Sequence, residues 1–148
     1  AYNFEDKFDL ISIRPPFGMM GKKNDNYNFE VLNRSRRNLS DAFIEQAINL
    51  TKENGYIIAV VTEGTLYTKR SKVLREIILE KTNVKGLIRL PNRTFPETGI
   101  KTTILVLQKK KKGSKEPEKF FAGDIEDLKE TDELIKSFQK FVKKGGKA

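Results

Sequence analysis

The sequence predicts an α/β fold with a mostly parallel sheet, an antiparallel last strand and helices on both faces. Short apolar segments without polar alternation, such as residues 57–61, are typical of strands covered on both faces. Segments with apolar residues at helical spacing separate the first three strands, as in strand–helix–strand units whose strands are parallel. The next two strands are joined too briefly for a crossover helix, so we expect them to pair antiparallel.

Residues 8–13 form the first predicted strand, which we expect to be buried. Pro15 and Pro16 end it, because neither proline can donate a hydrogen bond to a neighbouring strand. Residues 18–38 are polar and lack strand or helical periodicity, so a long irregular loop is expected there. Ser40 is the expected cap of the first helix, and Asn54-Gly55 is its expected end. The apolar positions expected to face inward are Phe43, Ile44, Ala47, Ile48 and Leu50.

The same alternation continues through the middle of the chain. Residues 56–61 are the second predicted strand. A helix is expected at about residues 71–81, with Val73, Leu74, Ile77 and Ile78 facing inward. The next two strands are expected at residues 84–90 and 102–108.

The last part of the chain, residues 110–148, reads as a charged turn, a short edge strand and a helix. The turn begins within Lys109 to Lys112. We interpret these lysines as a solvent-exposed charged segment that also discourages strand pairing at a sheet edge. The strand is expected at about 119–122 and the amphipathic helix at about 131–142. No repeat or linker divides the sequence, so residues 1–148 are expected to form a single domain.

Composition narrows the classes of function. The chain has 148 residues, 29 Lys+Arg against 20 Asp+Glu, a net charge of +9 and a pI near 9.7, which favours a polyanionic partner such as nucleic acid. It has no cysteine and no histidine, which excludes thiolate nucleophiles, Ser-His triads and the usual zinc sites. Its apolar segments are too short to cross a membrane. We therefore expect a soluble, cytoplasmic protein without a metal site.

The most informative segment is residues 8–18, FDLISIRPPFG, an apolar strand followed by Pro-Pro-Phe. It resembles the Asn (or Asp)-Pro-Pro-Phe (or Tyr) motif of adenine-specific DNA methyltransferases. Residues 55–64 and 73–109 resemble later segments of the methylase subunits of type I restriction-modification systems, including the pattern of Leu90-Pro91, Phe95 and residues 99–103. The resemblance covers about residues 8–109 and implies part of a Rossmann-like methyltransferase sheet.

The resemblance implies roles for the residues of the motif. In the family, adenine leaves the duplex and stacks on the aromatic residue, which is Phe17 here, after Pro15 and Pro16. The Asn or Asp oxygen, together with the carbonyl of the first proline, accepts hydrogen bonds from the amine that is methylated. Arg14 occupies that position, and its side chain has donors but no acceptor. We therefore predict that this chain is inactive as an adenine methylase.

The resemblance also implies a cofactor and partners. The family uses S-adenosylmethionine, held by a glycine-rich loop that precedes the Pro-Pro motif, and this sequence contains no such loop. The chain is therefore expected to be the C-terminal portion of a catalytic domain, with a missing N-terminal half or with companion methylase and specificity subunits. The strand at residues 8–13 would then have an uncovered edge, for which a companion chain or a homodimer is expected.

A set of basic and aromatic residues in the loop after the motif is the predicted DNA-binding surface. Its members are Lys22, Lys23, Tyr27, Phe29, Arg34, Arg36 and Arg37. Such residues contact phosphates and bases, but the same composition also suits a solvated loop. Two other functions remain open, namely a non-catalytic module that binds DNA or a partner protein, and an RNA or protein methyltransferase of the same fold.

Overall fold

A computed structural model describes residues 7–22, 29–34, 38–96, 99–114 and 120–144 of the chain. These residues form one five-stranded sheet with the strand order β1-β2-β4-β3-β5. The strands are β1 (Phe8–Ile13), β2 (Thr51–Thr62), β3 (Thr82–Arg89), β4 (Thr102–Lys109) and β5 (Phe121–Asp124).

The pairing of the strands confirms the predicted mixed sheet. β1 is parallel to β2, and β3 is parallel to β5. β4 is antiparallel to both of its neighbours, β2 and β3, between which it is inserted. The short connection from β3 to β4 explains the antiparallel pairing, because it leaves no room for a crossover helix.

Helices cover both faces of the sheet, as predicted. They are α1 (Glu30–Arg34), α2 (Leu39–Leu50), α3 (Glu63–Tyr67), α4 (Lys72–Lys81) and α5 (Thr131–Lys143). α1, α2 and α4 contact one another, and with the sheet they enclose the main core. α5 packs on the opposite face, where Phe138 lies against Gly86 of β3.

The main core forms where alternate residues of the central strands meet α2 and α4. Ile57 and Ala59 of β2 are fully buried, as is Leu107 of β4. They pack with Ile48 of α2 and Leu74 of α4, which are also fully buried. These contacts fix α2 and α4 relative to the ends of β1 and β2.

Small residues allow α5 to approach the second face closely. A side chain at Gly123 would place its Cβ 2.7 Å from Leu134 Cδ1, so a larger residue there would force the Leu134 side chain to move. Next to it, Phe121 contacts Phe138 and Phe141 with ring centroids 5.4 and 5.9 Å apart. An aromatic cluster therefore attaches α5 to the edge of the sheet.

β1 forms where predicted, but the expectation that it is buried is wrong. Phe8 is 48% exposed and Leu10 is 59% exposed. The reason is that β1 is an edge strand among the described residues, paired only with β2, and that α5 packs on β3 and β5 at the other side of the sheet. The sequence pattern shows that the residues of β1 are hydrophobic, but it does not show how many strands lie beside them.

The segment 18–38 is not irregular throughout, because it contains α1. The Glu45 carboxylate of α2 accepts hydrogen bonds from the backbone N–H groups of Glu30 and Val31, at 2.9 and 3.0 Å. Glu45 thus satisfies the first donors of α1 from a distant element. Because Glu45 lies outside α1, the sequence of α1 alone does not predict this helix.

Both predicted ends of α2 were wrong. The cap is Asn38, whose side chain accepts from Ser40 N at 3.1 Å, and not Ser40 itself. The helix ends at Leu50 rather than at Asn54-Gly55, because Thr51 Oγ1 donates to Ala47 O at 2.7 Å and begins β2 at once. Phe43, expected to face inward, is 45% exposed.

The remaining elements follow the prediction more closely. α4 and its buried residues Leu74, Ile77 and Ile78 lie where expected, and α5 begins at Thr131 as expected. β5 lies at Phe121–Asp124 instead of residues 119–122, of which residue 119 is outside the described part. Each helix in the described part is too short or too polar to cross a membrane.

Candidate functional site

The Pro-Pro-Phe motif lies directly after the carboxyl end of β1. Pro15 is buried, Pro16 and Phe17 are half-buried, and Arg14 is exposed. The Ser40 hydroxyl donates a hydrogen bond to the Pro16 carbonyl oxygen, and Leu39 N donates to Met19 O at 3.1 Å. The first turn of α2 therefore holds the loop at Pro16 and at Met19, within and just after the motif.

A cavity of about 300 Å³ opens beside this motif. Its lining comes from the motif, from the carboxyl end of β2, from α2 and α3, and from the turn before α4. The lining residues are Pro15, Phe17, Gly18, Asn38, Ser40, Ile44, Val60, Val61, Thr62, Gly64, Thr65, Thr68, Arg70, Ser71 and Ile100. Clefts at the carboxyl ends of parallel strands are the usual ligand sites of α/β sheets, and this volume is at the lower end for small ligands.

The cavity wall is mostly apolar and neutral. Arg70 is the single charged side chain among the described lining residues. The hydroxyl oxygens of Thr62 and Thr65 lie 3.3 Å apart. Such a wall suits a flat, neutral ring with a few polar atoms better than a charged group.

A side chain of α4 stabilises α3 and the turn that follows it. Arg75 donates from one guanidinium nitrogen to the carbonyl oxygens of Thr65 and Thr68, at 2.9 and 2.8 Å. These bonds satisfy carbonyls at the end of a five-residue helix that is too short to be stable alone. An arginine of another helix therefore helps to stabilise one wall of the cavity.

A buried carboxylate lies behind the cavity, at Asp41 of α2. Asp41 is 1% exposed, and neither of its oxygens has a well-formed hydrogen bond among the described residues. Burial raises the pKa of Asp41 to about 6, against the opposing effects of the Ser71 hydroxyl and the charges of Arg70 and Arg75. Its charge therefore changes near neutral pH, close to the cavity residues Ser71 and Arg70.

Arg14 lies over the ring of Phe95. The guanidinium carbon is 4.9 Å from the ring centroid, which is cation–π contact distance. Phe95 in turn meets Phe17 edge to face, with ring centroids 6.0 Å apart and an interplanar angle of 72°. The connection between β3 and β4 thus contributes an aromatic ring to the motif of β1.

The structure describes only part of the predicted DNA-binding set. Lys22 is exposed beyond the motif, whereas Lys23, Tyr27, Arg36 and Arg37 lie outside the described residues. Arg34 pairs with Glu30 and, at 3.2 Å, with Glu76. The hydrogen bond to Glu30 raises the pKa of the Arg34 guanidinium. Its role in DNA binding stays a prediction, and these carboxylates compete with phosphate for it.

Sequence reasoning missed several residues that build the site. Ser40 was interpreted as a helix cap, yet its hydroxyl holds the motif loop. Arg70 and Thr65 line the cavity from segments without a predicted element. The only local signal was the short basic segment 69–72, and nothing in it indicates that α3 turns it toward β1.

The cavity residues do not fit S-adenosylmethionine, the cofactor that the resemblance implies. The described lining has no carboxylate to pair with its sulfonium or its ammonium group, and Arg70 could pair only with its carboxylate. A ribose is usually held by a carboxylate, and none occurs among the lining residues that the structure describes. At this end of the sheet, Gly18, Gly64 and Gly99 do not form a close cradle, since a Cβ at each would meet nothing within 3.4 Å.

The chain is similar in sequence to curated methylase subunits. The type I restriction enzyme EcoEI methylase subunit of Escherichia coli is 31% identical over 109 residues, covering 72% of this chain and 22% of that protein. The type I restriction enzyme MpnII methylase subunit of Mycoplasma pneumoniae is 28% identical over 135 residues, covering 85% of this chain and 25% of that protein. The chain thus spans about a quarter of the length of these relatives.

The fold has a counterpart among solved structures. A class I S-adenosylmethionine-dependent methyltransferase of Listeria monocytogenes superposes with a TM-score of 0.72 at 23% identity, over 90% of this chain and 42% of that chain. This likeness confirms the predicted methyltransferase-like sheet. In sequence, the family model described as N-6 DNA Methylase matches residues 2–143, nearly the whole chain. The chain therefore belongs to the N-6 DNA Methylase family.

Proposed function

We propose that this chain forms the target-base pocket of a DNA adenine N6-methyltransferase from a restriction-modification system, and that Arg14 makes the pocket catalytically defective. The observation that carries the proposal is the cavity of about 300 Å³ walled by Pro15 and Phe17 at the carboxyl ends of β1 and β2. The family and the names of the sequence relatives support adenine in DNA as the target.

Phe17 is the surface on which the extruded base would stack. Extruding a base costs a few kcal/mol, and stacking on one aromatic ring returns about 1–3 kcal/mol. The return is largest if the ring is already in position, and Ser40 holds the loop that carries Phe17 through the Pro16 carbonyl. The neighbouring Phe95 ring restricts Phe17 from the other side.

Arg14 removes the acceptor on which the family's chemistry depends. The exocyclic amine becomes positively charged as it is methylated, so an oxygen acceptor beside it lowers the barrier. A guanidinium stays charged and only donates hydrogen bonds, so it opposes that charge. The contact with Phe95 at 4.9 Å also stabilises Arg14 in its present position.

Basic residues around the cavity support DNA as the partner. Lys69, Arg70 and Lys101 are exposed in the segments that follow β2 and precede β4, at the same end of the sheet as the motif. Phosphate contacts by such residues release counterions, so DNA affinity should fall steeply with salt. Binding of the methyl donor and recognition of a specific DNA sequence would be carried out by other parts of the methylase or by companion subunits, as the names of the relatives suggest.

The outer edge of β1 is the expected joint with that remaining part. Among the described residues, β1 has a strand neighbour on one side only, and its outward-facing Leu10 is 59% exposed. Unpaired apolar edges attract another strand. We expect the isolated chain to dimerise as its concentration rises, with the molar mass measured by light scattering. A strictly monomeric species at high concentration would contradict this.

The catalytic proposal is tested by Arg14→Asn in the intact methylase that contains this chain. Transfer of labelled methyl groups from S-adenosylmethionine to unmethylated DNA should be near background with Arg14. It should rise on the order of 10²-fold with Arg14→Asn, since single groups that stabilise transition-state charge contribute about that much. Arg93→Asn is the matched control, because Arg93 is exposed with φ 62°, a conformation that asparagine tolerates.

Two results would contradict the proposal. If the protein with Arg14 methylates DNA well, the claim of a defect is wrong. If Arg14→Asn gives no more methylation than Arg14, the defect does not lie at this position.

A second function, binding of DNA without methylation, is favoured by the same arginine. The pocket, the stacking ring and the basic rim do not depend on the missing acceptor. In that case the chain binds DNA with a steep salt dependence, and methylation stays at background in both variants.

A further inference from the structure

A second cavity lies on the far side of α3 from the first. It has a volume of about 350 Å³ and lies over the carboxyl ends of β3 and β5. Tyr67 of α3 and Phe120 line it, together with Leu87, Arg89, Thr103 and Asp124. None of these residues belongs to the Pro-Pro-Phe site.

Two aromatic rings line this cavity while remaining open to solvent. Tyr67 is 69% exposed and Phe120 is 52% exposed. Exposed aromatic side chains that border one concave site are typical of binding surfaces, because their faces can be covered by a flat ligand. The apolar Leu87 beneath them belongs to the edge of the main core.

The polar groups of the cavity offer both donors and acceptors. Arg89 Nε and Asp124 Oδ1 lie 3.5 Å apart, and their side chains remain 60% and 67% exposed. Such an exposed pair contributes little to stability, so both groups remain available to a ligand. Thr103 is 2% exposed, and its hydroxyl oxygen has no hydrogen-bond partner among the described residues.

We propose that this second cavity binds an unpaired nucleobase of the DNA held at the first cavity. A nucleobase has the flat faces that Tyr67 and Phe120 can cover and an edge with adjacent donors and acceptors, which the Arg89–Asp124 pair complements. An aromatic side chain of a protein partner would leave that pair unused. The net charge of +9 also favours DNA over a protein surface.

The separation of the two cavities suits one DNA molecule. α3 lies between them, and an α-helix with its side chains is about 10 Å across. Successive nucleotides of a strand are about 3.4 Å apart along the duplex axis. DNA that reaches Phe17 therefore passes the second cavity within a few nucleotides. This inference rests on the proposed function, because it requires DNA at the first cavity.

Photo-crosslinking with the whole 148-residue chain tests the inference. The probe is a DNA duplex with one unpaired 5-iododeoxyuridine, whose base crosslinks to aromatic side chains that it contacts. Tandem mass spectrometry then locates the attachment. We expect crosslinks at Tyr67 or Phe120 in addition to any at Phe17 or Phe95.

Binding of the same duplex, followed by fluorescence anisotropy, provides the second measurement. Tyr67→Ala and Phe120→Ala should each weaken binding by about 5-fold or more, the range expected when one stacking ring is lost. Tyr67→Phe keeps the ring and should bind like the original protein. Phe43→Ala is the control, since Phe43 is exposed on α2 and lines neither cavity. Circular dichroism verifies that every variant is folded.

The outcomes separate this inference from the proposed function. Crosslinks confined to Phe17 or Phe95, with unchanged binding by Tyr67→Ala and Phe120→Ala, would overturn the second site and leave the first. Crosslinks at neither pair, or no binding of the duplex, would overturn both.

Discussion

Replacing Asp41 by asparagine should remove a pH-dependent loss of stability from this chain. Asp41 is 1% exposed in α2, behind the cavity residues Ser71 and Arg70. Burial raises the pKa of its carboxyl from the ordinary 3.8 to about 6. Asparagine has nearly the same shape and does not ionise, so it isolates the effect of the charge.

The sign and size of the effect follow from these two pKa values. Above about pH 6 the carboxyl is charged in both folded and unfolded chains, and the folded chain bears the full cost of burying the charge. Between 6 and 3.8, folding takes up a proton, so stability rises as the pH falls. The difference corresponds to about 3 kcal/mol, because each pKa unit is worth about 1.4 kcal/mol.

Urea unfolding followed by circular dichroism at several pH values between 3.5 and about 7.5 measures this difference. Subtracting the free energy of unfolding of the original protein from that of Asp41→Asn removes the titrations that both proteins share. The difference should increase by about 3 kcal/mol from the low to the high pH limit. Ser71→Ala should strengthen the pH dependence, because the Ser71 hydroxyl favours the charged form. Parallel curves for the original protein and Asp41→Asn would refute the reasoning.

Two further predictions concern the loop and the last helix. Ser40→Ala should lower the free energy of unfolding in urea by about 0.5–1.5 kcal/mol, because the hydrogen bond to the Pro16 carbonyl is lost while the Asn38 cap stays intact. An unchanged free energy of unfolding would show that this hydrogen bond does not hold the loop. Phe138→Ala should release α5 from Gly86, so hydrogen exchange should quicken in α5 while β2 stays protected, and equal loss of protection in both would contradict separate docking.

The long, strongly periodic elements could be predicted from sequence because their own residues form the core. α4 is the clearest case, since Leu74, Ile77 and Ile78 are spaced for one helical face and are all buried. α3 was missed because it has five residues and no periodicity, and because Arg75 of another helix stabilises its end. The predicted burial of β1 was wrong because burial depends on neighbouring strands, about which a local sequence pattern gives no information.

The candidate site shows the same division between local and distant information. The motif from Arg14 to Phe17 is contiguous, so the sequence alone identified it and the change at its first position. The contacts that shape it come from far along the chain. Phe95 reaches Arg14 across the β3–β4 connection, and Arg70 lines the cavity from the turn between α3 and α4. Single-sequence reasoning has no signal for such contacts.

Under the proposed function, base binding and methyl transfer would depend on different atoms of this site, so one could persist without the other. Binding requires a ring held in position, and both the Ser40 tether and the Phe95 contact serve that end. In the proposed mechanism, methyl transfer would require in addition an acceptor oxygen at position 14, where this chain has a guanidinium over Phe95. The substitution leaves the wall of the cavity intact, because Arg14 is exposed and is not among the residues that line it. Under the proposed function, the chain would keep the means of engaging an extruded base and would lack the group that activates its amine.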